Sequence, residues 1–179
     1  MALRVPTLRT DRLKLEPIST LHSDGMFALW SDASVCEYSG TINDYDGNVI
    51  NMPARNKAES DCIIDFWLRA FDDGWGFRWA IIVLEDNSFA GTIGFNSLDS
   101  SYEIAFHLLP LFWGRGIMTE AAKKAIQWSI DDGALEIEAF IEKENSRSSA
   151  LARRLEMVAT HEYSEGAQRY FKKLDLAHR

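Results

Sequence analysis

Two glycines separated by one residue, directly before a run of helix-forming residues, constrain this chain more than any other feature. The segment Phe112–Ala121 reads FWGRGIMTEA and follows an apolar stretch that ends in a proline. Glycine has no Cβ, so backbone N–H groups can converge there on a ligand. A helix start adds unpaired N–H donors and the positive end of the helix dipole. The pattern is typical of a phosphate-binding loop, although the same glycines would also serve a tight strand-to-helix turn.

Length and composition narrow the class of protein. The 179 residues suffice for a full hydrophobic core, and we expect a single domain over residues 1–179. A net charge of −8 argues against a nucleic-acid partner. The first twelve residues lack the apolar core of a signal peptide, and the longest apolar run, Trp79–Leu84, is too short to span a bilayer. We therefore expect a cytoplasmic monomer or homodimer with no membrane anchor.

Hydrophobic periodicity predicts strands and helices in the order β-α-α-β-β-β-α-β-α-β-β. The predicted strands cover residues 12–16, 76–84, 89–98, 102–109, 135–141, 158–163 and 168–174. The predicted helices cover residues 19–30, 58–71, 119–132 and 145–155, and the polar stretch 39–56 is a long loop. Because a helix joins the strands 102–109 and 135–141, these two strands are expected to run parallel. The expected fold is therefore α/β, with a mixed sheet flanked by helices.

Three local patterns stand in a fixed order along these elements. The first is LRTDRLKL at Leu8–Leu15, and the second is YEIAFHLLP at Tyr102–Pro110, which leads into the WGRG loop and Thr119–Ala121. The third is NSRS at Asn145–Ser148, which leads into RLEM. With the order of elements, they resemble the GCN5-related N-acetyltransferases (GNAT) and, within them, the ribosomal-protein-alanine N-acetyltransferases. The chain departs from the family pattern at Met118, where a glycine or alanine is usual.

The resemblance implies a sheet of about seven mostly antiparallel strands, with two central strands splayed apart. It implies acetyl-CoA as the co-substrate, and no metal. Backbone N–H groups of the loop would hold the pyrophosphate, and the backbone of the strand before it would pair with pantetheine and polarise the thioester carbonyl. Asn145 would be a helix cap, a cofactor contact or both. The implied cofactor-binding residues are His107, Leu108, Leu109, Arg115, Gly116, Met118, Thr119 and Asn145.

The implied reaction is direct attack of a neutral amine on the thioester, which requires two proton transfers. Glu103 is the candidate base that takes the proton of the amine. Ser148 is the candidate that protonates or hydrogen-bonds the departing thiolate, with Tyr163, Tyr170 or water as alternatives. The side chain of His107 is interpreted as a satisfied core histidine rather than a base.

The acceptor is left open between a protein N-terminal amine and a small, possibly cationic amine. Acidic residues near the acceptor side hint at a cation, and several aromatic residues would wall this site. The acidic residues are Asp32, Asp44 and Asp46, and the aromatic ones are Trp30, Tyr38, Tyr45, Trp67 and Trp75. A non-catalytic module that senses acetyl-CoA is the alternative, because it would keep the phosphate loop without needing an acid or a base.

Overall fold

A computed structural model describes residues 3–175. Its strands are β1 (Leu8–Arg9), β2 (Leu13–Pro17), β3 (Ile42–Asn43), β4 (Val49–Ile50), β5 (Phe77–Val83), β6 (Phe89–Leu98), β7 (Tyr102–Leu108), β8 (Glu136–Ile141), β9 (Val158–Ser164) and β10 (Ala167–Lys173). Its α-helices are α1 (Ser23–Trp30), α2 (Ala33–Cys36), α3 (Lys57–Asp73), α4 (Ile117–Asp132) and α5 (Ser146–Arg154). The main sheet has eight strands in the order β1-β2-β5-β6-β7-β8-β10-β9. The α/β fold with a mostly antiparallel sheet is confirmed, and the short β1 adds a strand to the expected seven.

The side chains of the sheet alternate between two hydrophobic cores. On β5, Phe77, Trp79 and Ile81 face one core, which α4 covers, while Ala80 and Ile82 face the other, which α1 and α3 cover. This alternation follows from the two-residue repeat of a strand. The middle of the sheet is therefore buried on both faces, and a ligand must reach it at an edge or through a gap.

Such a gap lies between β7 and β8. The two strands run parallel, as the crossover through α4 predicts, and they pair only at Tyr102↔Ile137 and Glu103↔Glu138. On their outer edges β7 stays paired with β6 and β8 with β10 along most of their lengths. Beyond Glu103 the two strands therefore separate, as the family resemblance implied, and their inner edges lack ladder partners.

The end of α4 lies where the sequence predicted it, whereas the shortest helix and strands were not predicted. Gly133 ends α4 in the left-handed conformation, with φ of 110°, as predicted from its position after the helix. The stretch predicted as a long loop contains the β3–β4 hairpin, and α2 just before it was not predicted. Within residues 3–175, no helix is long and apolar enough to cross a membrane.

Candidate active site

A cleft of about 1720 Å³ opens where β7 and β8 separate. One end is walled by the glycine loop and the first turns of α4 and α5, and the other by α1, α3 and residues 39–43. The exposed edge of β7 runs between these ends. In the part of the chain that the structure describes, no group of three His, Cys, Asp or Glu side chains is placed to hold a metal ion. The cleft thus joins the predicted phosphate loop to the predicted acceptor side in one continuous space.

The glycine loop has the backbone geometry of an anion site. Gly114 and Gly116 have φ of 70° and 74°, the left-handed region that glycine adopts without strain. The first α4 hydrogen bond runs from the N–H of Glu120 to the carbonyl of Gly116, at 3.1 Å, and no side chain caps the helix. The N–H groups before Glu120 in the loop and first turn accordingly have no acceptor among residues 3–175. These free donors, at Arg115, Gly116, Ile117, Met118 and Thr119, fit a diphosphate.

Glu120 stands in the same turn, yet its charge is already matched. Its carboxylate accepts hydrogen bonds from the Thr10 hydroxyl at 2.5 Å, the Arg12 N–H at 3.1 Å and the Arg12 Nε at 2.7 Å. Arg12 also donates to the carbonyl of Arg115, at 2.9 Å. Burial alone would raise the pKa of Glu120, but the hydrogen bonds from Thr10 and Arg12 outweigh it and hold the pKa below its usual value. The LRTDR pattern therefore fastens the β1–β2 turn to the phosphate loop.

Glu120→Gln is expected to lower the free energy of unfolding by about 1–2 kcal/mol at pH 7, because it removes a charge-assisted set of hydrogen bonds on a partly exposed surface. A carboxylate with a depressed pKa stabilises the fold above its unfolded pKa, and this stabilisation is lost as the pH falls through the folded pKa. Urea denaturation of both proteins should therefore show the difference at pH 7 and a smaller one below pH 4.5. A difference that does not change with pH would contradict this role of the charge.

Of the three residues whose backbone was predicted to contact pantetheine, His107, Leu108 and Leu109, only Leu108 turns its peptide groups to the gap between β7 and β8. The N–H of Leu109 donates to the carbonyl of Ala90 at 2.9 Å, which leaves no amide hydrogen for a ligand, so we assign Leu109 no cofactor contact. Backbone groups alternate in direction along a strand, so the peptide of His107 also faces β6, whereas those of Phe106 and Leu108 face the gap. The carbonyl of Leu108 accepts from Trp113 Nε1 at 2.9 Å, and the N–H of Leu108 has no acceptor in the described part of the chain. Phe106 and Leu108 are thus the residues whose amides fit pantetheine.

At the start of α5, Asn145 caps the helix and Ser148 faces the cleft. The Asn145 side chain accepts from the N–H of Ser148 at 3.1 Å, so Asn145 is the N-cap of α5. The Ser148 hydroxyl lines the cleft and has no hydrogen-bond partner within residues 3–175. Tyr163 is exposed and Tyr170 is buried in the core, and neither lines the cleft. Among these side chains, Ser148 is therefore the hydroxyl available to a group inside the cleft.

Glu103, predicted from the sequence, is hydrogen-bonded into a chain of polar side chains whose other members, Asn96 and Arg78, were not predicted. Asn96 Nδ2 donates to Glu103 Oε1 at 2.6 Å, and Asn96 Oδ1 accepts from the Arg78 guanidinium. Arg78 is 5 % exposed, donates to the carbonyl of Phe77 at 2.9 Å and lies 3.5 Å above the ring centre of Trp67. Burial lowers the pKa of Arg78 to about 9, while the charge of Glu103 partly offsets this effect. The only sequence signal was a charged residue inside an otherwise apolar strand.

His107 lines the cleft rather than sitting satisfied in the core. It is half-buried, its ring centre lies 4.6 Å from that of Trp30, and its Nδ1 has no partner among the described residues. Burial, and then the positive charge of Arg78, lower the pKa of His107 to about 3. The imidazole is therefore neutral at physiological pH. The interpretation of a satisfied histidine is corrected, because no polar group on α1 reaches its ring nitrogen.

The acceptor end of the cleft is aromatic, but the acidic residues expected there are engaged elsewhere. Trp30, Tyr38, Trp67 and Trp75 line this end, and Tyr45 stacks behind them on Trp75, at 6.3 Å between ring centres. Asp32 accepts from backbone N–H groups that begin α2, and Asp44 accepts from those of its own turn. Asp46 pairs with Arg69, at 3.1 Å. These carboxylates give no support to the expectation of a cationic acceptor.

Comparison with known proteins agrees with this geometry. The family described as "Acetyltransferase (GNAT) domain" matches residues 12–158. The uncharacterized N-acetyltransferase p20 of Bacillus licheniformis is 30% identical over 149 residues, which cover 81% of this chain and 78% of that protein. RimL, the ribosomal L7/L12 alpha-N-protein acetyltransferase in complex with coenzyme A, superposes with a TM-score of 0.76 at 18% identity, over 93% of this chain and 97% of RimL. The microcin C7 self-immunity acetyltransferase MccE, in complex with acetyl-CoA and AMP, superposes with a TM-score of 0.73 at 20% identity, over 92% of this chain and 94% of MccE.

Proposed function

The chain belongs to the GNAT acetyltransferase family, and on this premise we propose that it transfers the acetyl group of acetyl-CoA to the primary amine of a small molecule or of a protein N-terminus. The observation that carries the proposal is the continuity of the cleft from the free N–H groups of the glycine loop to Glu103 and the aromatic end. Family members with a similar fold include RimL, which is described as acting on a protein N-terminus, and MccE, which was determined with AMP. Both acceptor classes therefore remain in the proposal.

Each of the residues along the cleft has a separate role in the proposed reaction. Acetyl-CoA supplies a thioester carbonyl, whose C–S bond breaks as the C–N bond to the amine forms. Glu103 accepts the proton that the amine loses, directly or through a water molecule. The free N–H groups on the inner edge of β7 stabilise negative charge on the carbonyl oxygen, as donors in an oxyanion hole do. Ser148 donates its proton to the departing thiolate and regains one from solvent, while Glu103 releases the proton of the amine to solvent, so that atoms and charge balance over the cycle.

Ser148→Ala is expected to lower kcat about tenfold and to leave the Kd for acetyl-CoA unchanged, because the hydroxyl acts on the leaving group and not on the diphosphate. The measurement is steady-state kinetics combined with calorimetric titration of acetyl-CoA. Ser149→Ala is a matched control, since its hydroxyl bonds to the backbone of its own helix. If Ser148→Ala keeps the kcat of the unmodified protein, water performs this protonation.

A direct test of the function is the release of CoA thiol from acetyl-CoA in the presence of a panel of small amines and short peptides. Turnover with at least one amine, and an N-acetyl product found by mass spectrometry, would support the proposal. Tight binding of acetyl-CoA without turnover on any amine would instead favour a non-catalytic sensor.

A further inference from the structure

The guanidinium of Arg78 is a buried positive charge with no carboxylate in ion-pair contact among residues 3–175. Glu103 is the negative charge that acts on it, and the Asn96 amide stands between the two. Buried charges in proteins are ordinarily paired, because an unpaired charge loses its hydration without compensation. Arg78 Nε has no acceptor within the described chain. An arginine at this position therefore lowers the stability of the empty fold, and an anionic ligand would compensate its charge.

The surroundings of Arg78 leave room for such a ligand on the floor of the cleft. In the register of the sheet, Arg78 lies opposite Gly94 and Gly94 opposite Ala105, so no large side chain stands between Arg78 and the edge of β7. Trp67 covers one face of the guanidinium and holds its plane. Both terminal nitrogens already donate, to the Phe77 carbonyl and the Asn96 amide, so a planar carboxylate would be bound through Nε and the N–H hydrogens that these two contacts leave unused.

The neighbouring polar groups are also donors or neutral groups rather than anions. Trp30 is buried in the same wall, its Nε1 has no acceptor among residues 3–175, and the adjacent His107 is uncharged at neutral pH. Glu103 is the exception, and it lies beyond Asn96, on the side where the amine is placed in the proposed reaction. Cation-binding and anion-binding groups are thus separated by the length of one amide side chain.

We propose that the acceptor carries a carboxylate close to its reactive amine, as a free α-amino acid does, and that Arg78 binds this carboxylate while Glu103 faces the amine. The inference rests on the proposed function and narrows it to one acceptor class. The short spacing between Arg78 and Glu103 favours an amine and a carboxylate on the same or adjacent carbon atoms. The aromatic end of the cleft, with Trp67 and Trp75, then faces the side chain of the amino acid.

The first test needs no variant. Free amino acids are compared as acceptors with their primary amides and with the corresponding amines that lack the carboxylate. We expect kcat/KM to be at least tenfold higher for the amino acid than for either analogue, mainly through KM. Equal or better turnover of the amide or the amine, or of a peptide N-terminus, would overturn the carboxylate inference and leave the acetyltransferase proposal intact. Absence of turnover with every acceptor would overturn both.

The second test replaces the cation. Arg78→Met should abolish the preference for the carboxylate by raising KM for the amino acid, while KM for acetyl-CoA stays unchanged. Arg78→Lys should retain part of the preference, because lysine keeps the positive charge but lacks the planar guanidinium. The thermal midpoint of Arg78→Met serves as the check on folding, since the substitution removes a buried charge and also takes the hydrogen-bond donor from Asn96 Oδ1. Arg153→Met is the matched control, because Arg153 is exposed and outside the cleft. A folded Arg78→Met protein that keeps the preference for the carboxylate would show that Arg78 is structural and overturn the inference.

Discussion

Replacing Gly116 with valine is expected to raise the KM for acetyl-CoA by roughly a hundredfold, the cost of losing well-placed hydrogen bonds to a charged group. Gly116 has φ of 74°, which a β-branched residue adopts only with strain. A Cβ at this position would also lie 3.4 Å from the Arg12 guanidinium. The loop would therefore turn its peptide groups, and the free N–H donors before Glu120 would no longer converge on the diphosphate.

The measurement is acetyl-CoA KM by steady-state kinetics, together with calorimetric Kd and a thermal melt. Gly47→Val is the control, because Gly47 also has a positive φ, of 89°, with open space around it, and lies outside the cleft. It should lower stability and leave KM unchanged. An unaltered KM in folded Gly116→Val would remove the glycine loop from the cofactor site.

Glu103→Gln is expected to reduce kcat by about two to three orders of magnitude, within the range of general-base catalysis. Glutamine can still accept the hydrogen bond from Asn96 through its carbonyl oxygen, so the local structure should persist. It cannot accept the proton of the amine. The remaining activity should rise with pH as more of the amine loses its proton in solution.

Kinetics over a range of pH check this prediction, with Glu144→Gln as a control because Glu144 is exposed and does not line the cleft. The KM for acetyl-CoA should be the same in all three proteins. A kcat within threefold of the unmodified protein would mean that the Glu103 carboxylate only orients Asn96 and that another group accepts the proton.

The fold could be predicted where its signals are local. The alternation in 89–98 and the helical spacing before Gly133 depend on neighbouring residues, and both elements were placed to within two residues. The helix α2 has four residues and the strands β3 and β4 have two each, so none of them is long enough to repeat its hydrophobic period. The cap that Asp32 provides for α2 is a single hydrogen-bonding residue within a polar stretch, which many loops also contain.

In the candidate site, too, the part formed by neighbouring residues was predictable and the part formed across strands was not. The glycine loop is a contiguous segment, so its geometry follows from its own residues. The chain Arg78–Asn96–Glu103 draws on three strands, and its register depends on the bulge in β6 between Phe95 and Ser97. The direction of the Leu109 amide likewise depends on pairing with Ala90 and cannot be read from the residue type.

Within residues 3–175, only two residue pairs form the backbone ladder between the five strands on one side of the gap and the three on the other, and the core beneath α4 holds the two sides together. A pantetheine chain that bonds to the backbone of Phe106 and Leu108 would act as a ninth strand, so the bound cofactor would complete the sheet as well as take part in the reaction. Product release would then remove this bridge between β7 and β8, and the α4 core alone would hold the strands beyond Glu103 in place. Loading with CoA should couple them mechanically, ahead of any contact with the acceptor.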